Sequence, residues 1–268
     1  MKIGRKAAPF LVAATALGSA HAAVEGYTVI DGFGDTVING EIWSDQERVR
    51  ALTGTALRHI QRDVGGTATN SGASAFSLST TLTRPTPVTQ LRGVLNVREL
   101  AVSGCAANVG ATSRVRARMF GTFFNTGVRT AGSNVGDVLA QVWMARAANS
   151  MDAPGVLRIE GWVGVCLDAA CNSAQQIGST VSLGLATLAT NVTLAVEWDR
   201  ATKTFTFLRD GGAASGTVTY TVSDANEPAF SFKGVGTRTE VANCTASRTA
   251  ASIDATFDTI SVNAKAKP

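Results

Sequence analysis

The stretch Val192-Thr-Leu-Ala-Val-Glu-Trp-Asp-Arg-Ala-Thr-Lys-Thr-Phe-Thr-Phe-Leu-Arg-Asp-Gly-Gly212 decides the fold class. Val192, Leu194, Val196 and Trp198 fall on one side of an extended chain, and Thr193, Ala195, Glu197 and Asp199 on the other. Alternation with period two is the mark of a strand with one buried face. Residues 199–203 form a turn, and Phe205 and Phe207 resume the alternation before Asp210-Gly-Gly closes it. The unit is a β-hairpin.

The same period runs outward in both directions. Strands are expected at 56–61, 75–82, 90–97, 113–124, 138–146, 156–166, 180–185, 192–199, 204–209, 217–222, 230–234 and 255–262. Thr and Val are abundant in them, and turns are marked at Asn70-Ser-Gly, Asp152-Ala-Pro-Gly and Asp210-Gly-Gly,. A dozen strands so spaced predict a two-sheet sandwich or a barrel. The exception is 41–52, rich in Glu, Gln and Arg and free of Gly and Pro, which reads as a short helix or a covering loop.

The first residues read as a secretory signal. Lys2, Arg5 and Lys6 precede a short apolar run, and Ala20-His21-Ala22 is a small-x-small cleavage site that places Ala23 first in the mature chain,. The run is too short to span a bilayer, and no later stretch is long and apolar enough to do so,. The full chain has 24 basic and 20 acidic residues. Removal of 1–22 takes away three basic ones and leaves a net charge of +1, which does not support nucleic-acid binding,. The expected organisation is signal peptide 1–22, one β domain 23–263 and a loose tail 264–268, in a protein of the periplasm or cell exterior.

Cys105, Cys166, Cys171 and Cys244 are an even set behind a signal, which reads as two disulfides,. Three pairings are possible. The expected one joins Cys166 to Cys171 and Cys105 to Cys244, and the long-range bridge would contribute on the order of 2–4 kcal/mol. A zinc site is a poor rival, because the mature chain has a single His,.

The hairpin at 192–212, the closing strand Ala255-Thr-Phe-Asp-Thr-Ile-Ser-Val262, and the opening Asp31-Gly-Phe-Gly followed by Trp43 resemble the concanavalin-A-like lectin/glucanase superfamily, including its laminin-G-type modules. The resemblance extends in strand pattern over nearly the whole mature chain. It implies a two-sheet antiparallel jelly-roll sandwich and a role in binding or cleaving glycans. It also implies a structural calcium where the first and last strands meet, with Asp31 and Asp258 as the matching acids. Two acids alone do not define a calcium site, and no cofactor is required by the sequence.

Catalytic motifs are weak. His59 is the one His of the mature chain, and a lone His defines no site; its plain reading is a satisfied or surface residue,. No Gly-x-Ser-x-Gly elbow or phosphate-binding loop is present,. The Glu-x-Asp-x-x-Glu run that the resemblance implies for glycosidases is missing, since Glu197 and Asp199 share a face with no third acid,. For a lyase, only Tyr27, Tyr220 and His59 could move the proton.

One constellation remains. Arg114, Arg116 and Arg118 share one side of their strand; Arg158, Glu160 and Trp162 share one side of theirs; Gln141 and Trp143 lie on one side of a third,. If the three strands are neighbours in one sheet, they form a polar face of guanidinium groups and indoles that suits an acidic sugar chain. The plain alternative is a solvated outer face in a chain that prefers Arg to Lys. The function expected is an exported, non-catalytic, glycan-binding or cell-surface β-sandwich. A diverged polysaccharide lyase or hydrolase and an adhesive matrix protein are the alternatives.

Overall fold

A computed structural model describes residues 47–69, 71–105 and 112–263. The signal-like segment, Asp31, Trp43 and the tail lie outside them. Among the described residues thirteen strands succeed one another: β1 (Glu47–Thr53), β2 (Ala56–Val64), β3 (Ala73–Thr81), β4 (Gln90–Val102), β5 (Arg114–Asn125), β6 (Asp137–Ala147), β7 (Val156–Cys166), β8 (Ala174–Thr187), β9 (Val192–Asp199), β10 (Thr204–Arg209), β11 (Ala214–Thr219), β12 (Lys233–Ala242) and β13 (Ala250–Val262). A seven-stranded sheet runs β1-β2-β13-β4-β9-β10-β11, and a six-stranded sheet runs β3-β12-β5-β6-β7-β8. All pairings are antiparallel. The fold is an all-β jelly-roll sandwich of two antiparallel sheets, and no helix among the described residues is long and apolar enough to cross a membrane.

The period-two faces meet between the sheets. Leu91, Leu95, Val192, Leu194, Val196, Phe205 and Phe207 come from one sheet, and Val115, Met119, Val142, Met144, Leu157 and Ile159 from the other; all are buried. Trp198 packs on this core beside Phe124 and Phe205, and its indole N–H donates to Tyr220 Oη at 2.9 Å. The bridges are Cys105–Cys244 and Cys166–Cys171, with Cα separations of 5.7 and 4.8 Å. Such separations are ordinary for disulfides.

Two segments depart from the sequence reading. The helix or covering loop expected at 41–52 is, over 47–52, the edge strand β1, paired along its length with β2. It lacks alternation because almost all of it is exposed, so backbone pairing alone defines it. The strand expected at 230–234 is displaced to β12. Its inward positions include Thr237 and Thr239, which hide the usual apolar period.

Those threonines meet a polar patch inside the sandwich. Thr237 Oγ1 donates to Gln61 Oε1 at 2.8 Å, Thr239 Oγ1 donates to Asp63 Oδ2 at 2.5 Å, and Gln61 Nε2 donates to Asp63 Oδ2 at 2.7 Å. Arg48 reaches Asp63 at 3.2 Å. His59 lies in the same interior layer, fully buried, with Nε2 3.1 Å from Thr80 Oγ1.

Burial, with the charge of Arg50 second, pushes the His59 imidazole down to about 4. The unfolded chain, titrating near the ordinary value of about 6.5, therefore takes up a proton first as pH falls. The stability this buried neutral ring lends is complete above about pH 6.5 and is lost as pH falls toward 4. Thermal melts at pH 7, 5.5 and 4 are expected to show Tm dropping across that window, and His59→Gln is expected to flatten the drop. An equal slope in the variant would assign the effect to other groups.

Candidate functional site

β5, β6 and β7 are consecutive in the six-stranded sheet, and their register brings the candidate residues into rows. Arg118 stands opposite Trp143, which stands opposite Glu160; Phe120 stands opposite Gln141, which stands opposite Trp162. With Val115, Ala117 and Met119 committed to the core, period two sends Arg114, Arg116 and Arg118 to the outer face,. There they line a cleft of about 740 Å³ together with Gln141, Trp143, Glu160 and Trp162. It reaches from Ser77 on β3 to Gln176 and Thr180 on β8, thus crossing six strands, or about 24 Å at the usual strand spacing,.

Arg158 does not join it. Its Nε lies 2.7 Å from Asp152 Oδ2, in a smaller neighbouring depression lined also by Arg146 and Met151. Trp143 lines the cleft but offers it little ring surface. The guanidinium of Arg116 lies 4.9 Å from its ring centroid, its Nε1 donates to Glu160 Oε2 at 3.0 Å, and its residual exposure is 5%. Its chemistry is to orient Arg116 and Glu160 through a cation–π contact and a hydrogen bond.

Residues beyond the expected set complete the site. Arg238 and Glu240 project from β12, directly across from Arg116 and Arg114. Glu240 gathers three guanidinium groups: Arg114 at 2.6 Å, Arg116 at 3.2 Å and Arg238 at 3.3 Å. Phe120 and Phe232, with ring centroids 5.9 Å apart, wall one end beside the Cys166–Cys171 bridge. The alternation of Arg238 and Glu240 could have revealed their common face, had the start of β12 been legible.

Among the described residues of the cleft, Arg118 is the guanidinium with no carboxylate partner. Its Nη1 donates to Gln141 Oε1 at 2.8 Å and its Nη2 to Ser77 Oγ at 3.1 Å, while its guanidinium lies 4.4 Å from the Phe120 centroid. Burial first, then the charge of Arg238, push it down to about 9 against the pull of Glu240. It remains cationic at neutral pH, but its charge is under-compensated. The buried Nε–H groups of Arg116 and Arg118 have no acceptor among the described residues. Across the cleft, four guanidinium groups face two carboxylates.

The loop after β7 forms the remaining wall, contributing Ala170, Cys171 and Asn172. Asp168 anchors it by accepting the backbone N–H groups of Ser173, Asn172 and Ala170, bonds that hold its carboxyl below the usual range. Elsewhere, Asp258 Oδ1 accepts the N–H of Thr259, and no group of three or more His, Cys, Asp or Glu side chains suited to a metal occurs among the described residues. Asp31, the other acid that the resemblance implies for a calcium site, lies outside the described residues.

Fold and cleft together define a two-sheet antiparallel β-sandwich with a cationic cleft across the outer face of one sheet. No protein-family model matches the chain, and no curated protein matches it in sequence. Similar solved structures include the CBM2 module of the Lactobacillus casei BL23 phage J-1 evolved Dit, 14% identical, with a TM-score of 0.28 over 81% of this chain and 76% of that one. The alginate lyase from Alteromonas sp. 272 is 9% identical, with a TM-score of 0.30 over 75% and 95%. The lectin from Bauhinia forficata in complex with GalNAc is 10% identical, with a TM-score of 0.30 over 81% and 92%.

Proposed function

We propose that the chain is an exported, non-catalytic glycan-binding protein. Residues 23–263 form its single functional domain, and the cleft on the six-stranded sheet holds an acidic polysaccharide. The observation that carries this reading is the surplus of guanidinium charge in the cleft, above all Arg118, which is buried and paired only with neutral groups. A carboxylate or sulfate on the ligand would supply the missing counter-charge through charge-assisted hydrogen bonds. The two disulfides suit an oxidising compartment,.

The geometry favours binding over cleavage. Glu160 on β7 and Glu240 on β12 are three strand intervals apart, about 14 Å laterally, well beyond the ~5–10 Å at which two carboxylates flank a glycosidic bond,. His59 lies inside the sandwich, and Tyr220 is buried with its hydroxyl donated to Asp224. Neither lines the cleft.

The test uses protein recovered from outside the cytoplasm, whose mass should place Ala23 first. Calorimetric binding to polygalacturonate is expected to weaken as salt rises, because partly exposed charges are screened. Arg118→Ala is expected to lower affinity by roughly 10–100-fold, the worth of a hydrogen bond to a charged group. Binding that ignores both salt and Arg118 would overturn the reading. Release of new reducing ends or of an unsaturated product would replace it with an enzyme.

A further inference from the structure

We propose that the end of the cleft beside the Cys166–Cys171 bridge is a subsite for the ring face of a sugar, with the Trp162 indole as its platform and Gly164 as the residue that sets the indole's pose. This deepens the reading of the cleft as a glycan site and rests on it. On β7 the outward positions run Glu160, Trp162, Gly164 and Cys166. A Cβ built on Gly164 would stand 2.3 Å from Trp162 Cη2 and 2.6 Å from Cζ2. The indole therefore leans along its own strand over the bare backbone of Gly164, and any larger residue there would lift it.

The surroundings finish the subsite. Phe120, Leu139 and Cys166 form a small apolar cluster on the outer face, with Trp162, Cys171 and Phe232 packed against it. Trp162 keeps part of its ring open to the cleft, whereas Trp143 lies under Arg116. The cleft thus has two ends of opposite chemistry. Arg114, Arg116, Arg118 and Arg238 supply donors for an anion; Trp162, Phe120 and Phe232 supply an apolar wall for the C–H face of a pyranose,. Gly164 touches no ligand in this scheme; it acts through Trp162 as a positioning residue.

The test uses the mature protein with two probes of one backbone, polygalacturonate and its fully methyl-esterified, uncharged form. Gly164→Ala is expected to move the indole N–H resonance of Trp162 and to weaken binding of the probes about three- to tenfold, the range of an aromatic contact. Trp162→Ala should weaken it at least as much, and adding Gly164→Ala to Trp162→Ala should cost nothing further, because both act through one ring. Unchanged binding in Gly164→Ala, or an equal loss in the Trp162→Ala background, overturns the proposal. The added methyl would also stand 2.9 Å from the Gln175 carbonyl oxygen. Should Gly164→Ala fail to fold, Trp162→Leu carries the test, and undiminished binding by that variant overturns the platform. Equal, salt-insensitive binding of both probes that still depends on Trp162 would sink the guanidinium reading and leave the platform standing. Binding of neither probe sinks both.

Discussion

Asp63→Ala is expected to lower the free energy of unfolding by about 2–4 kcal/mol, since two buried donors, Gln61 Nε2 and Thr239 Oγ1, lose their acceptor,. The carboxylate is almost wholly inaccessible and receives Gln61 Nε2, Thr239 Oγ1 and Arg48 Nη2 at 2.7, 2.5 and 3.2 Å. Its loss strands Gln61 Nε2 and Thr239 Oγ1 at the contact between β2 and β12, where water cannot replace it cheaply, while the exposed Arg48 stays solvated,. Urea unfolding of wild type and variant measures the difference. A change below about 1 kcal/mol would mean that the network relaxes onto other acceptors. Thr239→Val is the gentler companion, since it deletes one donor and preserves shape.

The second large effect concerns the bridges, which differ in span. Cys105–Cys244 closes a loop with a sequence separation of 139, and Cys166–Cys171 one of 5. By the loop-entropy estimate, the long bridge limits the unfolded chain by up to about 5 kcal/mol and the short one by about 2. Cys105→Ala/Cys244→Ala is therefore expected to unfold at clearly lower denaturant than Cys166→Ala/Cys171→Ala. The long bridge also has local work. It joins the residues after β4 to those after β12, where Cys244 N donates to Gly66 O and Asn243 N to Gly72 O. Equal midpoints for the two double variants would show that the unfolded chain is already compact around Cys105 and Cys244.

The sequence was legible wherever one face of a strand is apolar. β7, β9 and β10 carry the boundaries expected from alternation, because their inward positions hold Leu157, Ile159, Val192, Leu194, Phe205 and Phe207. β12 escaped because its inward Thr237 and Thr239 are satisfied by Gln61 and Asp63, so polarity sits where a reader looks for hydrophobicity. β1 escaped because an exposed edge strand has no buried face to leave a period. The cleft shows the same division. Period two fixes which side Arg114, Arg116 and Arg118 take, but strand order brings Arg238 and Glu240 across from them, and strand order is a long-range property. Likewise, no spacing rule could show that Asp152 captures Arg158 or that Arg116 covers Trp143.

The place of β13 bears on how the chain is made. The last strand sits between β2 and β4, and the ion pair of Arg58 with Asp254 spans 196 positions. In chain order, β2 and β4 must wait for β13 before either gains the strand that lies between them. Pairings so distant in sequence close slowly, since the entropy of a long loop is spent before any contact returns it. The chain is therefore held open until β13 arrives, and its unfinished sheet presents unpaired edges throughout that wait,. A chain truncated before Ala250 is expected to keep those edges open and to be a substrate for chaperones and proteases, whereas one that includes β13 can complete the sheet,.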